Sequence, residues 1–241
     1  MKAIIDLALL GILIICVWSG YKKGLIMGLG GILCIIISLY GANLLSNAFA
    51  LDVVPALRPF AGGFMESVAS QEDGGVLDRM GWEDSDYSLD DLLEQYPERK
   101  AEFAEACYES IGIYSNSAGV MAQEAVTYSQ ETDSDMVTAV VEVLCRRVSY
   151  VGCFILAFLL IIIVLTVIGN LPNLSFRLPH LDLVNDISGA ILGLVTGLMF
   201  CAAAVWALKF VGILIGSDTL ESTILGGWLL RKDFLFRYLG I

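Results

Sequence analysis

Histidine is almost missing from this chain of 241 residues: His180 is the only one, beside five prolines and a charged fraction of just 17%. A hydrolase relying on a histidine base would have to be built on the connection LPNLSFRLPHLDLVND, whose Ser175 and Asp182 read as ordinary loop residues. The six cysteines contain no C-x-x-C pair, which removes the usual spacing of thiolate metal sites and redox centres. The polar stretch between Leu51 and Arg147 does not alternate apolar and polar residues as a half-buried strand does. Basic residues are scarce as well, 14 against 26 acidic ones, and a net charge of −12 argues against a nucleic-acid partner. No catalytic constellation emerges, so the expectation is a chain that is not an enzyme and uses no cofactor and no metal.

Apolar residues, by contrast, make up 57% of the sequence, with a mean hydropathy of +0.75. They cluster into four runs, Ala3–Ser19, Leu25–Leu45, Val148–Ile168 and Ile187–Leu208. About 20 apolar residues at ~1.5 Å each cross the hydrocarbon core of a bilayer, so each run reads as a spanning helix. The first is the shortest and contains Asp6, the one candidate functional acid within a span. Its place near the helix end favours the plainer reading of a side chain at headgroup level. The other polar groups at mid-membrane are few, chiefly Ser38, Asn43 and Thr196.

Glycine is spaced rather than scattered. Gly189, Gly193 and Gly197 recur every fourth residue in GAILGLVTGL, and Gly20, Gly24 and Gly28 repeat the spacing in SGYKKGLIMGLGG, with Gly31 about one turn on. Lipid tails are as apolar as leucine, so membrane helices associate by close packing, and a glycine strip lets another backbone approach. The seven glycines are therefore the candidate helix-packing residues, with the two ladders facing each other inside a bundle. Tyr21, Lys22 and Lys23, with Trp18 nearby, mark a tight interfacial connection between the first two spans.

Charge is unevenly placed. Between Leu51 and Arg147 lie 20 of the 26 acidic and 6 of the 14 basic residues, a net of −14 that leaves +2 on the rest. This insert faces water. Pro55 and Pro59 are expected to break regularity at its start, in a stretch suited to the membrane surface, and Gln71–Asp86 reads as loop or disorder. Ser88 is a plausible N-cap, Pro97 suits the first turn of a helix carrying Phe103, Ala106, Cys107 and Ile111 on one side, and Asp135 precedes a helix that runs on into the third span. Asp84, Asp86 and Ser88 match three positions of a calcium-binding loop, but Leu89 and Gln95 stand where glycine and glutamate are required, so a solvated charge run is the better reading. Cys107 and Cys145 can pair if the insert faces an oxidising compartment. Asn185 or Asp186 would cap the fourth helix.

The result is an all-α polytopic membrane protein: a hairpin of two spans over residues 1–50, the acidic helical insert over 51–147, two further spans over 148–215 and an amphipathic interfacial tail over 216–241. The positive-inside rule, applied to Lys22, Lys23 and Arg177, places the termini and the insert outside the cytoplasm; Lys2, Lys209, Arg231, Lys232 and Arg237 vote the other way.

Two blocks carry a family resemblance. IIDLALLGILIICVWSGYKKGLIMGLGGILCIIISLYGA has an early aspartate and a G-x-x-x-G turn into a second span; LDLVNDISGAILGLVTGLMFCAAAVWAL is followed by SDTLESTILGGWLL. In this order, over residues 1–50 and 150–230, they resemble the colicin V production protein (CvpA) family of bacterial membrane proteins. Family members often carry a basic residue shortly before the glycine matching Gly189, where this chain has Asn185, Asp186 and Ser188, and the acidic insert is longer than in compact members. The resemblance implies a multi-pass protein of the bacterial inner membrane, linked to production or export of a peptide toxin or to general envelope homeostasis, and supplies no catalytic residues. A non-enzymatic accessory role is the leading expectation, with the bilayer and other envelope or export proteins as partners, the latter through the insert, and a homo-oligomer compatible with the sequence. The alternative is a small transporter or channel.

Overall fold

Long apolar runs can satisfy their backbone groups in lipid only as helices, and the short polar segments carry capping residues rather than alternation. The computed structural model describes residues 2–69, 76–82, 88–170, 182–210 and 223–231, and every regular element among them is helical. In order these are α1 (Lys2–Ala69), α2 (Val76–Arg79), α3 (Leu89–Gln95), a 3-10 turn (Pro97–Arg99), α4 (Lys100–Ser110), α5 (Ser115–Thr132), α6 (Met136–Asn170), α7 (Asp182–Phe210) and α8 (Ile224–Arg231). Among the described residues, three helices are long and apolar enough to cross a membrane, over Ala3–Met65, Met136–Ile168 and Leu183–Leu208. The chain divides into an apolar unit, residues 1–48, 152–207 and 218–241, and an acidic unit made chiefly of residues 49–151.

In the apolar unit, α1 is not straight. Gly24 has φ 76° and ψ −174°, a left-handed φ that glycine adopts without the Cβ penalty. Residues on the two sides of it meet α7 in opposite directions. Before it, Leu13 lies against Gly197, Cys16 against Gly193 and Gly20 against Gly189; after it, Leu25 meets Asn185, Gly28 meets Leu192 and Gly31 meets Thr196. The chain therefore turns back at Gly24, and residues 2–23 run antiparallel to α7 while residues 25–48 run parallel to it. Helix α6 is antiparallel to α7: Phe154 meets Trp206 edge-on at 5.0 Å between ring centroids, and Phe158 meets Phe200 at 5.7 Å. Outward-facing Ile4, Leu7, Leu33, Leu156, Ile163 and Ile191 are exposed, which suits a lipid-facing surface.

The acidic unit has a core of the kind found in water-soluble domains. Phe103, Cys107 and Tyr108 of α4 are buried with Met121 of α5, Val140 of α6 and Val54 and Met65 of α1. The Tyr108 hydroxyl donates to the Val140 carbonyl at 3.0 Å, satisfying its one polar atom inside that core. Ser88 caps α3 by accepting from the Asp91 amide at 3.2 Å. Asp135 accepts from the Thr138 amide at 2.8 Å at the start of α6, which then runs unbroken through Arg147 into the apolar stretch from Val148.

Two expectations for this region are corrected. Pro55 and Pro59 do not break regularity; both lie inside α1, which continues to Ala69. The proline φ near −65° is itself helical, so the price is two missing amide donors rather than the end of the helix. The stretch expected as loop or disorder contains α2, whose Val76 is fully buried in the core. Asp84 and Asp86 lie outside the described residues, as do Ser175, Arg177 and His180, and Ser88 serves as a helix cap. Of the tail, residues 223–231 are described.

Candidate functional site

A backbone crossing organises the apolar unit. A Cβ added at Gly20 would collide with the Gly189 carbonyl oxygen and stand 2.8 Å from the Gly193 Cα. One added at Gly189 would collide with the Gly20 carbonyl and lie 2.8 Å from the Gly24 Cα, and one at Gly193 would strike the Cys16 carbonyl. These obstacles are backbone, so they cannot swing aside as a flexible side chain would. Gly197 is less tight, with the Cys16 Cβ and the Leu13 Cα at 3.1 and 3.3 Å. At Gly28 the obstacle is the Leu192 side chain, starting at 3.0 Å, and at Gly31 only the Thr196 hydroxyl comes near, at 3.9 Å. The glycines thus differ in need: Gly20, Gly189 and Gly193 permit backbone contact, and Gly31 would accept a methyl group.

One polar side chain fastens the glycine crossing at its Gly24 end, and another ties α1 to α8. Asn185 is buried at 3% exposure, and its Oδ1 accepts from the Leu25 amide at 3.0 Å, the first donor after the reversal at Gly24. This corrects the capping role expected for it: α7 has already begun at Asp182, and Asn185 instead satisfies an orphan amide of the neighbouring helix. Asp6 accepts from the amides of Ile224 and Leu225, both at 3.1 Å, and so caps α8. A carboxylate at a helix N-terminus is favoured by the helix dipole as well as by the two hydrogen bonds. The structure gives Asp6 a positioning task that its place in the sequence did not reveal, because its partner lies more than 200 residues away.

Four hydroxyls of the apolar unit turn inward on their own helices. Ser38 donates to the Cys34 carbonyl at 2.7 Å, Ser46 to Ala42 at 2.7 Å, Thr166 to Ile162 at 2.6 Å and Thr196 to Leu192 at 2.8 Å. Asn43 accepts from the Asn47 amide nitrogen at 2.8 Å, one turn along the same helix.

In the acidic unit the sequence reading missed an ionic cluster. Glu142, buried at 5% exposure, accepts from Arg58 at 2.8 Å and from Arg146 at 3.0 Å. These partners hold its carboxyl below the usual carboxylate range, Arg58 contributing most, against the opposing effect of burial. Arg146 also lies over the Tyr128 ring at 4.8 Å, and Arg147 pairs with Glu124. The available signal was Glu142 in the otherwise apolar MVTAVVEVLCRR, four residues before Arg146. Cys107 and Cys145 are free, buried thiols, and burial pushes the Cys107 thiol up to about 12. Among the described residues no group of three histidine, cysteine, aspartate or glutamate side chains could hold a metal ion.

Residues 118–232 match the family model described as Colicin V production protein. No curated protein and no solved structure matches the chain. The matched region runs from α5 to α8 and includes Glu142, Asn185 and the 189–197 ladder, while Asp6 and the first glycine ladder lie outside it. It overlaps the second block of the resemblance and extends back into the acidic unit. Over residues 118–232 the chain is similar to the Colicin V production protein family, and that region contains two of the helices able to cross a membrane.

Proposed function

We propose that the chain is a non-enzymatic accessory or structural protein of the bacterial inner membrane, acting in colicin V-type toxin production or export or in envelope homeostasis. It crosses the bilayer four times, because the reversal at Gly24 divides a stretch of 63 residues that would otherwise run to about 95 Å, some three bilayer cores. The glycine faces serve as the packing surfaces of that bundle. Lys22 and Lys23 put the hairpin tip in the cytoplasm, which leaves the acidic insert extracytoplasmic and free to contact other envelope or export proteins. A transporter or channel needs polar groups facing a path through the membrane. The observation that carries the accessory reading is that Ser38, Ser46, Thr166 and Thr196 all donate to carbonyls of their own helices.

Flux measurements test this. Liposomes containing the purified full chain should release protons, potassium and a small anionic dye no faster than protein-free liposomes. Protein-dependent flux that is lost in an Asp6→Asn variant would favour a transporter and contradict the proposal.

A further inference from the structure

Two cavities open along the apolar unit, and they share Ile15, Cys16 and Phe200. The larger, of about 450 Å³, is lined by apolar side chains that include Phe154, Phe158 and Ala204. The smaller, of about 290 Å³, reaches the hairpin turn, where Ser19 and Lys23 line it one helical turn apart. The two cavities adjoin at these shared walls, with an ammonium and a hydroxyl lining the smaller and mainly hydrocarbon and aromatic rings lining the larger. Among the described residues, Lys23 is the single charged one in the two linings. Lys22 is differently engaged, with its ammonium 5.0 Å above the Trp18 ring centroid.

We infer that the two cavities form one trough, a binding site for one anionic phospholipid drawn from the surrounding bilayer. The argument rests on the membrane-embedded reading above. An amphiphile with one negative headgroup and a long apolar chain matches the trough in both charge and polarity. Lys23 adjoins Gly24 at the turn between two spans, the level at which headgroups lie. Close-packed interiors hold few voids much larger than a water molecule, and a trough this size within helices surrounded by lipid accommodates an acyl chain. An apolar helix from a partner would fill the wide end but leave the lysine at the narrow end unmatched. Two lysines are too few for a polybasic lipid patch; the site is specific because the cavity continues from one of them.

Native mass spectrometry of the full chain tests the inference, after extraction from vesicles of phosphatidylcholine containing a minority of phosphatidylglycerol. The wild type should retain one phosphatidylglycerol, enriched over its share of the vesicle by about fivefold, the factor one lysine supplies near an anionic headgroup. Lys23→Gln should reduce that enrichment to the vesicle ratio, and Lys22→Gln should leave it unchanged. Ala204→Phe should fill the wide end and remove the retained lipid of either type; if it fails to fold, the milder Ala207→Val should weaken retention. Unchanged enrichment in Lys23→Gln, or unchanged retention in a folded Ala204→Phe, would overturn the site. A chain that leaves the membrane in a carbonate wash would instead sink the membrane reading itself, so the two failures are distinguishable.

Discussion

Helices α7 and α4 each press one face against neighbouring helices, and the two faces are opposites. On α7 the contact surface is Gly189, Gly193 and Gly197, with backbone atoms of the partner where a side chain would be at the first two. On α4 it is Phe103, Cys107 and Tyr108, among the most completely buried side chains in the chain. The difference follows from the solvent each unit is suited to. In water, burying a large apolar side chain stabilises by roughly 1.5–3 kcal/mol, so a helix gains by carrying bulk on its inner face. In lipid that gain vanishes, and attraction comes from dispersion between closely approaching backbones, so a helix gains by having nothing there. The acidic unit can also hold Glu142 between two arginines whose outer parts stay hydrated, whereas in the apolar unit Ser38, Ser46, Thr166 and Thr196 bond within their own helices and Asn185 and Asp6 bond backbone amides of neighbouring helices.

The sharpest way to break this comparison is to place bulk where each unit forbids it, or remove it where it is required. Gly193→Leu should cause the largest loss: its Cβ would meet the Cys16 backbone, and the chain should no longer show cooperative melting in detergent. Leu194→Ile, at an exposed neighbouring position, should melt like the wild type. Phe103→Ala in the acidic unit should destabilise that unit by about 3–5 kcal/mol, the usual cost of emptying a large aromatic site, measured by denaturant unfolding of the full chain. Equal tolerance of both changes would remove the distinction between the units.

Glu142 refines the same contrast with a pH dependence. Its pKa is depressed in the folded state, so its contribution is present above the ordinary glutamate value of about 4.3 and is lost as pH falls through the lower folded value. Glu142→Gln should cost about 1–2 kcal/mol at neutral pH, allowing for the exposure of the arginines, and should flatten the acid limb of the unfolding profile. The smallest effects belong to caps, whose chemistry is the same in both units. Ser88→Ala and Asp6→Ala should each cost about 1 kcal/mol, read as faster amide exchange confined to the first turns of α3 and α8 respectively.

Much of the local structure was legible because its causes are local. Ser88 and Asp135 announce helix starts, and Pro97 enters a turn leading into α4, whose Phe103, Cys107 and Ile111 do end up buried. The reversal near Gly24 was readable from a lysine pair set between two apolar runs. Pro55 and Pro59 misled because a proline's dihedral angle suits a helix even though its missing donor does not. The contacts that fix geometry over distance were not legible at all. Asp6 with Ile224, Leu25 with Asn185 and Arg58 with Glu142 join residues 218, 160 and 84 positions apart, and no spacing rule reaches so far. Nor could the sequence rank the glycines, since Gly20 and Gly31 differ only in what stands opposite them.

The central claim, a chain that turns back at Gly24 and crosses the bilayer four times, is tested most directly by thiol labelling from one side of a sealed membrane. Single cysteines at Ala3, Lys22 and Asn47 would be introduced into a cysteine-free version of the full chain. The reversal predicts that Ala3→Cys and Asn47→Cys react with an impermeant reagent from the same face and Lys22→Cys from the other. Reaction of Ala3→Cys and Asn47→Cys from opposite faces would contradict it.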